Sequence, residues 1–312
     1  MKTNKIISLL LTASTLSLAG CHSFSTNPLG LKVAAPAGSP AIALFAHIGE
    51  DSVEINAAEN VQGYMTDAAD KDMVILPTNY GINAIVNKKV GFKIAATVTF
   101  GNFYLLSTGL DDNSELTAGD KVLAFQQNGV AGKLLNYVYG DRNLDITYLA
   151  DAKSVKDAIL TSQDFDYDYV LLAQPVVKVI LEKKSSYSIF ADLQSDYKIK
   201  TNGKEITQAS IFVKNSADVE LVQKALETIK SDINHMISNP QDLISQTSSL
   251  EQEKVSAKFT TTAETVKYLI ENGNQLGVGY KDALSNKANI DSFLNALGMG
   301  ETNEEIYFHF EK

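Results

Sequence analysis

The strongest constraint on this chain is a repeated change of hydrophobic period. Between Leu31 and Val213, short apolar or β-branched runs alternate with stretches whose apolar residues recur every three to four positions. Runs of the first kind build half-buried or buried strands, and stretches of the second kind build amphipathic helices. Such a chain satisfies both faces only by laying helices against a mostly parallel sheet, so the expected class is α/β. Leu31, Val33 and Ala35 alternate as a strand, and Gly38-Ser39-Pro40 reads as a turn, an N-cap and a first-turn proline. Ala41, Leu44, Phe45 and Ile48 follow at helical spacing. Met73 to Leu76 is a compact strand closed by Pro77, and Thr78-Asn79 can cap a helix with Ile82, Ile85 and Val86 inward. Phe92 to Phe100 is a long β-branched and aromatic strand.

The pattern then repeats. Lys121 to Phe125 is a strand, Gln126-Gln127-Asn128-Gly129 a turn, and Val130, Leu134, Leu135 and Val138 one helical face. Strands follow at Asp145 to Leu149, Tyr169 to Ala173, Ser188 to Leu193 and Ile206 to Val213. A helix lies at Ser154 to Thr161, and Gln174-Pro175 precedes a short one. After Asn215 the chain turns helical, with Val222, Ala225, Leu226, Ile229 and Ile233 on one face. Further helices are expected after Asn239-Pro240, at Thr262 to Asn272 and at Asn289 to Leu297. The organisation is two similar βα halves and a helical tail.

At 312 residues the chain suits one large domain or two lobes. The formal charge of -10 argues against a broad phosphate-binding surface and hence against nucleic acid. The single cysteine, Cys21, excludes an intrachain disulfide framework and any CxxC site. His22, His47, His235 and His309 are scattered without metal-ligand spacing, and no cofactor is implied. His47 beside Glu50 and Asp51 reads as a solvated surface group. The Asp164 to Asp168 run (DFDYD) lacks the glycine and terminal glutamate of a calcium loop. No nucleophile elbow, P-loop or dinucleotide fingerprint occurs in a strand-turn-helix context, so the expectation is a binding protein and not an enzyme.

Residues 1–20 read as a leader, with Lys2 and Lys5 before an apolar stretch from Ile6 to Leu18 that is short for a permanent membrane span. It ends in Leu18-Ala19-Gly20-Cys21, which resembles the bacterial lipobox. That resemblance implies acylation of the Cys21 thiol with diacylglycerol and cleavage before it. The folded body would then be extracytoplasmic and held at the cell membrane by lipid. Cleavage would remove two lysines and no acid, leaving a more acidic body. Residues 21–30 are a polar tether.

Taken in order, four stretches resemble a known family: the first strand-turn-helix with Gly38-Ser39-Pro40, DMVILPTN (Asp72 to Asn79), KVLAFQQNGVAG (Lys121 to Gly132), and ITQASIFVK (Ile206 to Lys214) leading into DVELVQKALETI. They are similar to the solute-binding lipoproteins of ABC importers with the type II periplasmic-binding-protein fold, in the subgroup for thiamine-pyrimidine precursors, sulfonates and nitrate. The resemblance implies a two-lobed α/β protein with a hinge and an interlobe cleft. Lobe 1 would comprise 31–100 and 214–312 and lobe 2 would be 101–213, with crossings near Phe100-Gly101 and Phe212-Val213. It implies a small-molecule solute, a permease with its ATPase as partners, and a monomeric receptor. The eukaryotic pyrimidine synthases related to this subgroup carry a cysteine-rich motif that this chain lacks.

In that fold the solute sits where helix N-termini meet the cleft. Such ends present unpaired N–H groups at Ser39-Pro40, Thr78-Asn79 and Asn128-Gly129. Gln127 adds a neutral donor and acceptor, Gln174 ends a strand at the cleft rim, and Gln208 stands on a crossing strand. Gly129 and Gly132 permit close backbone approach. Tyr80, Phe103 and Tyr104 offer rings on which a planar solute stacks. Each of these residues also has a plain structural use, in caps, turns and core packing. No Arg or Lys falls in the cleft turns, which points to a neutral heteroaromatic solute before an alkylsulfonate or nitrate-like oxyanion. A surface sensor or adhesion lipoprotein on the same fold is the alternative from another class.

Overall fold

The computed structural model describes residues 28–109 and 115–310. The leader and Cys21 lie outside the described residues.

The chain builds two sheets in succession and then returns to the first. The first sheet gathers β1 (Val33–Pro36), β2 (Val53–Asn56), β3 (Met73–Pro77) and β4 (Phe92–Thr99), with helices α1 (Ser39–Ile42), α2 (Ala58–Gly63) and α3 (Thr78–Lys88) between them. The second gathers β5 (Phe103–Ser107), β6 (Lys121–Phe125), β7 (Asp145–Leu149), β8 (Tyr169–Ala173) and β9 (Ser188–Asp192), with α4 (Val130–Tyr139), α5 (Ala152–Thr161), α6 (Val176–Lys183) and α7 (Leu193–Lys200). The chain re-enters the first sheet as β10 (Ala209–Lys214). It then forms α8 (Val219–Ser238), α9 (Asp242–Thr247), α10 (Gln252–Phe259), α11 (Ala263–Glu271), β11 (Val278–Asp282) and α12 (Lys287–Ala296).

Sheet one has the order β11-β4-β10-β3-β1-β2 and sheet two the order β7-β6-β8-β5-β9. β1 runs parallel to β2 and β3, whereas β10 runs antiparallel to β3 and β4. β1 and β3 are covered on both faces, as expected of inner strands in an α/β sheet. Their period of two is visible in the packing. Val33, Ala35, Met73 and Ile75 join one apolar cluster with α8, while Ala34, Val74 and Leu76 join the opposite one with α3. Val222, Ala225, Leu226, Ile229 and Ile233 of α8 are all buried, as their spacing predicts. Burying each large aliphatic side chain stabilises the lobe by about 1.5–3 kcal/mol. Asp218 caps α8 by accepting from Leu221 N at 3.0 Å.

Several expectations are corrected. The helix after Gly38 stops at Ile42 and gives way to a 3₁₀ turn over Phe45–His47, although Ala41, Leu44, Phe45 and Ile48 are all buried. Val86 is 40% exposed, because only Ile82, Ala84 and Ile85 face the core from that side of α3. The second crossing is not at Phe212-Val213. β10 pairs with β3 and β4 from Ala209 onward, so the chain crosses upstream, over 201–208. The helical tail also contains a strand, β11, paired antiparallel to β4.

In both sheets the parallel strands end at the same seam. Pro77, Thr99 and Ala209 share one edge of sheet one, and Phe103, Ala173 and Asp192 share the facing edge of sheet two. α12 crosses that seam on one side. Its Ile290 and Leu294 pack in the first lobe, and Phe293, with Leu297 just beyond the helix, packs in the second. At the first crossing Gly277 is required, because a Cβ there would lie 2.0 Å from the Gly101 carbonyl oxygen and its φ is +61°.

Candidate functional site

The seam is built from strand ends and the turns that follow them. Ser39 opens α1 at the end of the first strand-turn, behind Gly38, whose φ is +96°. Its hydroxyl makes no cap; Asn102 Nδ2 donates to it at 3.3 Å. The same Nδ2 donates to the Gln174 carbonyl at 2.9 Å, and Gln174 N donates back to the Asn102 carbonyl at 2.9 Å. Gln174 Nε2 donates to Gln275 Oε1 at 2.6 Å, while Gln174 Oε1 accepts from Lys178 N at 3.1 Å. Tyr104 OH donates to the Gln275 carbonyl at 3.3 Å. Burial, and secondarily the Asp192 charge, raise the Tyr104 pKa, so the phenol stays a donor. Ser39, Asn102, Gln174 and Gln275 thus form one network joining both lobes through the crossing.

A second group begins at α3. Thr78 is fully buried, and its hydroxyl bonds the Ser210 hydroxyl at 2.7 Å instead of capping the helix. Thr78 N donates to the Gln208 carbonyl at 3.0 Å, and Gln208 N donates to the Thr99 carbonyl at 2.9 Å. Around these groups Asn79 Oδ1, Asn102 Oδ1, Thr207 Oγ1 and Gln208 Oε1 are shielded from solvent without a hydrogen-bond partner. Each such atom costs roughly 1–3 kcal/mol, so a stretch of seam carrying four of them is costly for a purely structural contact.

The other residues singled out in the sequence are distributed as follows. Pro40 is half-buried in the first turn of α1. Tyr80 packs beside the first lobe's core, with Lys88 Nζ 5.3 Å from its ring centroid. Phe103 is buried in the second lobe's core, 6.3 Å from the Phe125 ring. Gln127 and Asn128 are exposed in the turn before α4, and Gly129 is half-buried. Gly132 serves that same turn, since a Cβ there would lie 2.6 Å from the Gln126 carbonyl oxygen. The structure therefore brings Ser39, Tyr104 and Gln174 into one network, and Thr78, Asn79 and Gln208 beside each other at the α3 end. Asn102, Thr207 and Gln275 were not anticipated. Asn102 carries a readable signal, a lone amide after Gly101 between two apolar strands; Gln275 carries none.

Lysines flank the seam: Lys198 and Lys281 line a groove shared by α7 and β11, and Lys281 pairs with Glu205. The single arginine, Arg142, lines a groove on the second lobe with Tyr139, Asp196 and Ile199. Lys178 directs its ammonium to Glu182 and to the Tyr268 ring, 4.2 Å from the centroid. The acidic run at Asp164–Asp168 has a structural use: Asp168 accepts from Lys121 N at 2.8 Å, and Asp166 pairs with the Lys121 ammonium. His47 is not a surface group. It is 1% exposed, with Nδ1 2.5 Å from Glu50 and Nε2 2.9 Å from Asp232. Among the described residues no group of three His, Cys, Asp or Glu is placed to hold a metal ion, and no helix is long and apolar enough to cross a membrane.

No protein-family model matches the chain, and no curated protein matches it. Solved structures do. An ABC transporter protein from Parabacteroides distasonis is similar with a TM-score of 0.69 at 18% identity, over 90% of this chain and 99% of that one. The periplasmic aliphatic sulphonate binding protein SsuA from Escherichia coli is similar with a TM-score of 0.60 at 13% identity, over 86% and 88% of the two chains. The desulfurization enzyme DszB, in complex with biphenyl-2-sulfinic acid, is similar with a TM-score of 0.55 at 12% identity, over 86% and 93%. The fold is the two-lobed fold of periplasmic binding proteins.

Proposed function

We propose that this chain is the extracytoplasmic solute receptor of an ABC importer, anchored through lipid on Cys21, which closes its lobes on a small organic molecule and delivers it to a permease and its ATPase. The carrying observation is the row of buried, unpartnered polar atoms at the seam, on Asn79, Asn102, Thr207 and Gln208. Such atoms favour a state in which a bound molecule completes them. A solute that completes them only when the lobes are closed shifts the population toward closure by that difference in affinity. The similarity to an ABC transporter protein and to a sulphonate-binding protein supports the same reading.

A neutral heteroaromatic solute, of thiamine-pyrimidine size, is the first ligand class and a small oxyanion the second; the likeness to the sulphonate-binding protein is what favours the second. The polar lining of the seam favours a receptor over a sensor or adhesin that has lost its ligand. Likeness to DszB raises catalysis, but the hydroxyls of Ser39, Thr78, Ser210 and Tyr104 bond to hydroxyl, amide and carbonyl groups and not to a histidine or carboxylate base. The test is a thermal-shift panel of pyrimidines, thiamine, flavins, sulfonates, nitrate, amino acids and short sugars on protein refolded to strip carried-over ligand. A ligand at a hundredfold excess over its Kd stabilises the fold by about 2.7 kcal/mol. One responding chemical class supports the receptor, and silence across the panel favours the sensor or adhesin. Labelled palmitate incorporated by the wild type and lost in Cys21→Ser tests the anchor.

A further inference from the structure

The hydrogen-bond polarity of the seam is one-sided. Asn102 is 5% exposed, and its Nδ2 donates to Ser39 Oγ at 3.3 Å and to the Gln174 carbonyl at 2.9 Å. A main-chain carbonyl only accepts, so the contact with Gln174 fixes which end of the amide is nitrogen. The end left over, Oδ1, is a buried acceptor with no donor. The Gln174 amide is fixed in the same way, by Lys178 N on its oxygen and by Gln275 Oε1 on its nitrogen.

Two main-chain donors at the seam are already engaged. Thr78 N, at the start of α3, is taken by the Gln208 carbonyl, and Lys178 N, in the first turn of α6, by Gln174 Oε1. Arg142 lines a groove of the second lobe that also contains Asp192, and the Lys178 and Lys281 ammonium groups are paired with Glu182 and Glu205. A seam carboxylate is also engaged: Asp192 Oδ1 accepts from Gln194 N at 2.9 Å, Gln194 Nε2 at 2.8 Å and Ser195 N at 3.2 Å. Both partners of the Asn102 amide nitrogen are neutral groups.

We propose that the interlobe site is an acceptor site whose specificity is set by Asn102: it takes a neutral organic molecule that presents N–H or O–H groups to Asn102 Oδ1, and it discriminates against oxyanions of the same shape. The inference rests on the receptor reading and divides the ligand classes left open under it. An acceptor-only ligand leaves Asn102 Oδ1 unpaired, whereas a donor removes the deficit. Sites built to bond a donor reject analogues lacking it far more strongly than apolar pockets reject a missing methylene.

The test uses the refolded full chain and shape-matched pairs: nicotinamide with nicotinate, benzenesulfonamide with benzenesulfonate, and urea with nitrate, each titrated by thermal shift and calorimetry. The expected result is at least tenfold tighter binding of the donor-bearing member. Equal or tighter binding of the acid members overturns the proposal and leaves a receptor, now for oxyanions. No binding by any member, in a protein with a cooperative melt, counts against the receptor reading and removes the proposal with it. Asn102→Leu is expected to abolish the preference for the donor-bearing member of each pair. Asn102→Ser provides the same test if the leucine variant fails to fold, and a preference undiminished in the folded variants overturns the assignment to Asn102.

Discussion

Two buried polar clusters in this molecule follow opposite rules. Around His47 the groups complete one another. Nδ1 meets Glu50 Oε1, Nε2 meets Asp232 Oδ2, and Glu50 Oε2 accepts from Leu29 N and Ser52 Oγ, each at 3.2 Å. That cluster lies inside the first lobe and ties the entering chain, the 3₁₀ turn and α8 together. Around Asn102 one bond runs to Ser39 in the other lobe, one stays in the second lobe at Gln174, and an acceptor is left over. Saturation marks a cluster that holds the fold, because a satisfied network rigidifies its surroundings. A deficit at a movable seam marks a cluster that a further molecule can complete.

The largest effect is expected at His47. His47→Leu removes the shared partner of two carboxylates, one of them almost fully buried. Loss of one partner from a buried ion pair costs about 3–5 kcal/mol, and a thermal melt should show it as a large fall in Tm. The pH dependence sharpens the same point. Burial opposes the imidazolium, but its hydrogen bonds to Asp232 and Glu50, with the charges of those carboxylates, outweigh it and raise the His47 pKa above its ordinary value. The folded state therefore holds the proton more tightly than the unfolded one. Its contribution to stability is complete below the unfolded value of about 6.5 and is lost as pH rises through the higher folded value. Tm measured from acid to mildly alkaline pH should fall across that window in the wild type, and the His47-dependent part of the fall should vanish in His47→Gln.

How much of this was legible follows from the range of the forces involved. The α8 face was readable because Val222, Ala225, Leu226, Ile229 and Ile233 carry their own period, and β1 and β3 were readable as short apolar runs. β11 was not. Val278–Asp282 is short, contains Gly279, and is a strand only because β4 supplies partners at Thr97 and Thr99, with an irregular register. The second crossing was misplaced because Ile206 to Val213 reads as one strand, although its first three residues precede the ladder. At the seam, Ser39 and Thr78 announced themselves as helix starts. What they bond did not, since Ser39 meets a residue 63 positions away and Thr78 one 132 away. A partnerless acceptor is still less readable, being defined by what every other segment fails to bring.

A smaller effect is expected at the interlobe tie. Gln275→Ala removes the acceptor of Gln174 Nε2 but leaves the main-chain carbonyl to which Tyr104 donates. One lost hydrogen bond costs about 0.5–1.5 kcal/mol, so Tm should drop modestly. Freed of the tie, the lobes should separate further, which small-angle scattering reads as a larger radius of gyration. An unchanged radius would mean that α12, packed in both lobes, holds the seam without it.

The smallest effect on stability decides the comparison. Asn102→Leu makes the same replacement in the open cluster that His47→Leu makes in the closed one. It deletes two donated hydrogen bonds, worth about 0.5–1.5 kcal/mol each, and also deletes a buried unpaired acceptor, worth a comparable amount in the opposite direction. The net change in unfolding free energy should stay within about 1 kcal/mol of zero, measured by denaturant titration with an unchanged slope. A loss as large as that of His47→Leu would make Asn102 a fold-holding residue and erase the contrast. A loss near zero leaves its amide conserving no stability of its own, so that the reason for an amide at that position has to be sought in what enters the seam.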